Sequence, residues 1–261
     1  EIFLKEYEGL YCIGCERFLD ESELENGNCP DHQNPPEFYK EKNYFFRMSE
    51  YQEWLLRELR ENEGWIYPNR YRNELVQFLK EPLQDLCISR PKSRLEWGIE
   101  LPFDRNYVTY VWFDALLNYV SALDVPHGEK YKKYWQNVHH TIGKDILKTH
   151  GIYWPCMLKA AGLPVFKKLV VHGHWVVDGS KMSKSLGNAI DPLTVKEKIG
   201  VDSLRYFLLR DMSFGEDSNY TEDLAIRRYN SDLANNFGNL LNRSISMSRK
   251  NFDGCIPPLG Q

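Results

Sequence analysis

Between residues 88 and 175, β-rich runs take turns with helical stretches, and that alternation restricts the possible fold more than any other feature of this chain. Tyr107 to Trp112 is a run of β-branched and aromatic side chains and reads as a strand; Asp114 to Leu123 reads as a helix. His140 to Gly143 reads as a short strand, the segment onward to Ala161 as a helix, and Lys168 to His172 as another strand. Strands separated by helices imply parallel pairing, so the expected class is α/β.

The flanks differ. Residues 1 to about 50 read as short strands and turns punctuated by Pro30, Pro35 and Pro36, with Asn43 to Arg47 as a further strand. Residues 49 to 87 read as helical. Ser49 is the expected cap of a helix carrying Tyr51, Trp54, Leu55 and Leu59; a second helix runs through Leu75, Phe78 and Leu79 until Pro82. Leucine-rich short helices follow Asp191-Pro192. Thr221-Glu222-Asp223 has the form of a cap with an acidic first turn, and opens a long helix with Ile226, Tyr229, Leu233, Phe237 and Leu240 on one side.

With 42% hydrophobic and 14% aromatic residues the chain is folded rather than disordered. No apolar run approaches membrane-spanning length, and Glu1-Ile2-Phe3-Leu4-Lys5-Glu6 lacks the regions of a signal peptide, so no membrane partner and a cytoplasmic location are expected. A net charge of −4 gives no global attraction to nucleic acid, so any RNA contact has to come from local patches.

Two short motifs carry chemistry. Cys12-x-x-Cys15 and Cys29-x-x-His32 form a two-plus-two set; each pair sits on a tight turn, and together they close a tetrahedron that suits Zn²⁺. Four protein ligands leave no position for a substrate water, so the expected zinc is structural. The ordinary alternative is a cluster of reduced core cysteines. The second motif is Lys181-Met182-Ser183-Lys184-Ser185, followed by Leu186-Gly187. Two ammonium groups on a hydroxyl-rich loop near glycines suit a polyphosphate whose charge grows in a transition state. A solvated basic turn is the ordinary alternative.

The lysine–serine string is similar to the KMSKS loop of class I aminoacyl-tRNA synthetases. Five further segments extend the likeness over most of the chain: the cysteine–histidine knuckle after Tyr7-Glu8-Gly9; Ser89-Arg90-Pro91-Lys92-Ser93-Arg94 leading to Trp97-Gly98-Ile99; Tyr110 to Ala115; Ile142-Gly143-Lys144-Asp145-Ile146 with His150 and Trp154; and His172-Gly173. Together they resemble the methionyl-tRNA synthetase family, in its bacterial type with a single zinc knuckle. The implied fold is the second half of a Rossmann-type nucleotide-binding domain. To it are attached a connective insertion with the knuckle (1–90, knuckle about 7–45) and the start of a helical anticodon-binding domain (219–261). The catalytic half covers 91–178, and the lysine loop with a stem-contact region 179–218.

The resemblance also implies roles. Trp112, Ala115, Tyr119, Ile142, His150 and Trp154 would form the methionine side-chain pocket, where a polarizable thioether packs on aromatic edges. Gly143 and Asp145 would meet the adenylate ribose, and His172, Gly173, Trp175 and Val176 the adenine. Lys181, Lys184 and Ser185 would act on the phosphates, with Mg²⁺ arriving on ATP. Asn239 and Arg243 would contact the tRNA anticodon. For these residues core packing, a helix cap at Asp145 and a solvated polar helix face are the ordinary alternatives. The His-Ile-Gly-His type motif of the family's first half does not occur in these residues. The chain is thus expected to be the middle of the enzyme, inactive alone and in need of the missing half, from a partner chain if the protein is split. Other class I synthetases (for cysteine, leucine, isoleucine or valine) and a non-catalytic zinc-containing tRNA-binding module are the rival readings.

Overall fold

A computed structural model describes residues 1–14, 17–19, 21–30, 32–177, 179–182 and 187–255. Cys15, Lys184 and Ser185 lie outside the described residues. The chain divides into two compact units, Glu1–Val170 and Val171–Gln261.

The first unit opens with a long antiparallel pair rather than the short strands expected. β1 (Ile2–Cys12) is flanked on one side by β2 (Arg17–Leu19) and on the other by β3 (Glu37–Phe46), in register from Ile2 opposite Phe46 to Tyr11 opposite Glu37. Most of this ribbon is exposed, which is why its sequence lacks a clean alternation. Charges take the place of apolar pairs across it: Lys40 Nζ lies 3.3 Å from Glu8 and 3.9 Å from Glu6. Burial sets in at each end, at Phe45 and Phe46 and at Tyr11 and Cys12.

α1 (Gln52–Glu61) buries Leu55 and Leu59, four residues apart on one face. Ser49 does not cap it. It lies in the preceding 3₁₀ turn, and its hydroxyl and amide both donate to Asp85 Oδ1, at 2.6 and 3.1 Å. β4 (Ile66–Tyr67) leads to α2 (Asn69–Phe78), which packs through Tyr71 and Leu75. β5 (Leu86–Cys87) adds to the edge of β3. β6 (Ser89–Pro91), β7 (Glu100–Leu101) and β8 (Asp104–Thr109) then form an antiparallel sheet in the order β6-β8-β7. Parallel pairing is therefore not continuous from residue 88, as the alternation suggested.

The strand expected to reach Trp112 stops at Thr109. Tyr110 is extended, and α3 (Val111–Ser121) begins directly after it. α4 (Glu129–Tyr134) precedes β9 (His139–Gly143). After β9 come a 3₁₀ turn (Lys144–Ile146), a wide i→i+5 turn (Thr149–Tyr153) and α5 (Trp154–Ala160), then β10 (Lys168–His172). The sheet order is β4-β10-β9, and β10 runs parallel to β4 with Leu169 opposite Ile66.

In the second unit β11 (Trp175–Val177) pairs antiparallel with β12 (Ser180–Lys181) and parallel with a later strand. α6 (Pro192–Ile199) starts as expected: Asp191 accepts from the Leu193 amide at 2.9 Å and Pro192 takes the first turn, where its missing N–H costs nothing. α7 (Val201–Arg210) follows, then β13 (Ser218–Asn219), the parallel partner of β11. The core is Val195, Phe207, Tyr220 and Ala225, with Trp175, Met182 and Ile190 packed against it. The Thr221 hydroxyl caps α8 (Glu222–Arg228) by accepting from Leu224 at 3.2 Å. The helix continues through a wide-turn segment (Tyr229–Gly238) into α9 (Asn239–Phe252), the long helix read from the sequence. Among the described residues no helix is long and apolar enough to cross a membrane.

Candidate functional site

The start of α3 decides the geometry of the first site. Because the helix begins at Val111, Trp112, Ala115 and Tyr119 stand three and four residues apart and share a face. They meet the rings delivered by the segment after β9. The Trp112 and His150 rings are edge-on at 6.3 Å, and Tyr119 lies 5.8 Å from His150 and 6.1 Å from Trp154. His150 and Trp154 are 2% and 1% exposed, whereas Trp112, Ala115 and Tyr119 are half-buried. Ile142 is buried on β9. The wide turn at Thr149–Tyr153 changes the expected helical relation between His150 and Trp154, yet both still converge on Tyr119.

Hydrogen bonds fix the proton positions. A backbone carbonyl only accepts, so the 3.0 Å contact of His150 Nδ1 with the Ile146 carbonyl requires the proton on Nδ1. Nε2 is then the acceptor, and Tyr119 Oη donates to it at 3.0 Å. Burial pushes the His150 pKa down and the Tyr119 pKa up, so both groups are neutral near pH 7.

Three rings missed in the sequence complete the cluster. His140 accepts from the Trp154 indole N–H at 3.2 Å and packs on Phe166 at 4.6 Å; Trp135 lies 6.2 Å from Trp154. Burial, then the neighbouring His150, lowers the His140 pKa to about 4. The alternation of β9 was a usable signal for His140, since it shares the buried face with Ile142. A separate apolar hollow of about 550 Å³ lies against the other side of α3, lined by Phe113 and Leu117 but by none of the rings above.

At the carboxyl end of β9, Gly143 occupies the cap position of the 3₁₀ turn and Asp145 is exposed within it, so Asp145 is not the cap.

The metal motif also assembles. Cys12 ends β1, Cys29 is fully buried, and the ligand atoms of Cys12, Cys29 and His32 all lie within 4.8 Å of one another. His32 Nδ1 is 3.8 Å from Cys12 Sγ and 3.9 Å from Cys29 Sγ. Tetrahedral zinc with ordinary bond lengths would hold sulfur and nitrogen about 3.6 Å apart, so three donors are nearly in place. Gly14 makes room for them, because a Cβ there would sit 2.5 Å from His32 Cδ2.

In the second unit His172 Nδ1 donates to the Gly173 carbonyl at 2.8 Å. Gly173 is buried against the backbone of Glu216 and Asp217; a Cβ would lie 2.1 Å from the Glu216 carbonyl oxygen. The Trp175 ring packs on Phe207 at 5.2 Å. Val176 pairs with Lys181, and Met182 anchors the next step of the chain in the apolar core. Asn239 and Arg243, one turn apart on α9, are both exposed.

Comparison with known proteins adds the following. Residues 2–245 match the family described as tRNA synthetases class I (M). The chain is 51% identical over 98% of its length to a methionine–tRNA ligase of Deinococcus radiodurans, and 48% identical to one of Caldanaerobacter subterraneus. It spans about two fifths of the length of those relatives. Mycobacterium tuberculosis methionyl-tRNA synthetase bound by methionyl-adenylate superposes with a TM-score of 0.89 at 41% identity, covering 100% of this chain and 52% of that one. The apo form of the same enzyme gives 0.87 at 38% identity.

Proposed function

The chain belongs to the class I (M) tRNA synthetase family, and on that premise we propose that the protein it forms activates methionine with ATP and passes it to tRNA(Met). The observation that carries this is the convergence of Trp112, Tyr119, His150 and Trp154 in one ring cluster, in a chain 41% identical to a synthetase solved with methionyl-adenylate. Aromatic edges offer a thioether dispersion and sulfur–ring contacts of about 0.3–1.5 kcal/mol each. With Tyr119 and His150 donating to partners within the protein, the pocket has no ammonium or carboxylate demand, which suits an uncharged side chain. Ala115 and Ile142 complete the apolar lining.

Asp145 accepts from the ribose hydroxyls, with Gly143 allowing the backbone close to the sugar. His172 Nε2, Gly173, Trp175 and Val176 meet the adenine. Lys181 and Lys184, helped by Ser185, bind the phosphates more strongly as charge moves onto the leaving pyrophosphate, which lowers the barrier rather than only KM. Mg²⁺ comes with ATP as part of the substrate. Cys12, Cys15, Cys29 and His32 hold one zinc ion, whose part is to close the knuckle rather than to activate water. Asn239 and Arg243 contact the anticodon by reading unstacked bases. The protein works in the cytoplasm.

The test is methionine-dependent exchange of pyrophosphate into ATP by the full-length protein. Lys184→Ala should lower kcat about 100-fold with methionine KM little changed. Exchange driven equally well by leucine, isoleucine, valine or cysteine, or no exchange with any amino acid, would sink the proposal.

A further inference from the structure

His140 lies outside every role assigned above, yet it touches two walls of the pocket at once. Its Nε2 accepts the indole N–H of Trp154 at 3.2 Å, and its ring lies under that of Tyr119, with centroids 4.3 Å apart at 52°. The Phe166 ring meets it edge-on at 4.6 Å. The imidazole is 5% exposed, Trp154 1%. A buried indole N–H has few escapes: it finds an acceptor or it costs free energy. No carbonyl is used here. The acceptor is a side chain, and one that can accept at Nε2 only while that nitrogen is unprotonated.

We propose that His140 is a positioning residue for the methionine side-chain pocket, holding Trp154 by its indole N–H and Tyr119 by its ring without touching the substrate. The inference rests on the reading of that pocket. Its logic is one of rotation. Trp154 has two broad χ2 settings, and the bond to His140 favours the one observed, in which its ring lies 6.1 Å from that of Tyr119 at 47°. Tyr119 in turn must stay over His140 for its hydroxyl to reach His150 at 3.0 Å. One neutral imidazole thus sets the orientation of both rings, and its loss should weaken recognition of the amino acid while leaving the nucleotide half of the reaction alone.

The experiment compares His140→Phe, which keeps the ring and removes the acceptor, with His140→Gln, whose amide oxygen takes the Nε2 position. Pyrophosphate exchange is measured in the full-length protein with methionine and ATP varied separately. The indole N–H resonance of Trp154, identified by its disappearance in Trp154→Phe, reports the bond directly. His140→Phe should raise methionine KM about tenfold, the factor expected for one buried neutral hydrogen bond, with kcat and ATP KM nearly unchanged. It should also move the Trp154 resonance upfield. His140→Gln should recover most of both. Should His140→Phe not fold, His140→Asn takes its place, since its amide reaches only the Nδ1 position. An unchanged methionine KM in His140→Phe, an unmoved resonance, or equal defects in the Phe and Gln variants would each overturn the proposal. Trp112→Ala separates the two levels: if it raises methionine KM and His140→Phe does not, the positioning role alone fails. If neither does, the pocket itself has been misread.

Discussion

The hydroxyl of Tyr119 donates to Nε2 of His150 at 3.0 Å, and the Ile146 carbonyl on the far side of the imidazole fixes that direction by holding the Nδ1 proton. Tyr119 is half-buried and His150 almost fully buried, so the bond links a partly exposed ring to a buried one. Tyr119→Phe keeps the ring and strands Nε2. The expected cost is about 1–2 kcal/mol of stability, and a several-fold rise in methionine KM with ATP KM unaltered. Urea unfolding and exchange kinetics on the same preparation check both parts. A variant with native stability and native KM would show that the bond has no role in either.

Acid should loosen the same pocket. His140 and His150 both have lowered pKa values in the folded chain, His140 to about 4, and each faces the other and Tyr119. The unfolded chain takes up these protons near pH 6.5, while the folded chain resists until lower pH, so the unfolded state binds more protons in between. Stability is therefore complete above pH 6.5 and falls as pH drops toward 4, by about 2 kcal/mol from His140 alone. Urea midpoints at pH 7.5 and 4.5 measure the fall in the natural protein and in His140→Phe. Carboxylates titrate in both proteins and cancel, so the variant should show the smaller fall; equal falls would place the acid sensitivity elsewhere.

The knuckle makes a prediction that does not involve a ligand residue. A methyl added at Gly14 must displace the His32 ring, with contacts of 2.5–2.8 Å to three ring atoms. Pushing that ring moves Nδ1 away from the sulfurs of Cys12 and Cys29. Gly14→Ala should weaken zinc retention about tenfold or more against a competing chelator, within the range that misoriented ligands cost. Gly64→Ala is the control, since a Cβ there meets nothing within 4 Å. Equal zinc retention by both variants would mean that His32 is not held by the ion.

Much of this molecule was readable before its coordinates, for reasons that particular residues illustrate. Asp191-Pro192 and Thr221 start helices by local rules, and the structure keeps both caps. Cys29 and His32 come together because their turn spacing is local as well, and Cys12 joins them from the end of β1. Local preference gives way where a distant partner overrules it. Tyr107 to Trp112 has strand composition, but the last bond of this ladder is the Tyr110 amide to the Ile88 carbonyl at 2.8 Å, and from Val111 the chain turns into α3. Ser49 looks like a cap until Asp85, thirty-six residues away, takes its hydroxyl and amide. His140 carries no motif, because its meaning comes from Trp154 and Tyr119 on other elements.

Gly173 is the sharpest case of a residue whose need is invisible in sequence, and it supports the last prediction. Its immediate constraint is the backbone at Glu216 and Asp217. A Cβ would lie 2.1 Å from the Glu216 carbonyl oxygen, 2.2 Å from its carbon and 2.7 Å from the Asp217 nitrogen. These are main-chain atoms held in place: the Asp217 carboxylate accepts from the His174 amide at 2.8 Å, and the Ser218 amide donates to the His174 carbonyl at 2.9 Å. A flexible side chain could step aside, whereas this backbone cannot move without opening the β11–β13 pairing. Gly173→Ala should therefore cost about 2–3 kcal/mol, at the upper end of overpacking penalties. Gly162→Ala gives the contrast. Its left-handed φ of +69° costs backbone strain, but a Cβ there meets nothing within 4 Å, so the loss should stay near 1 kcal/mol, about the cost of placing a side chain in that region. Thermal unfolding of both variants decides the order, and a Gly173→Ala protein as stable as Gly162→Ala would show that the 216–217 segment yields.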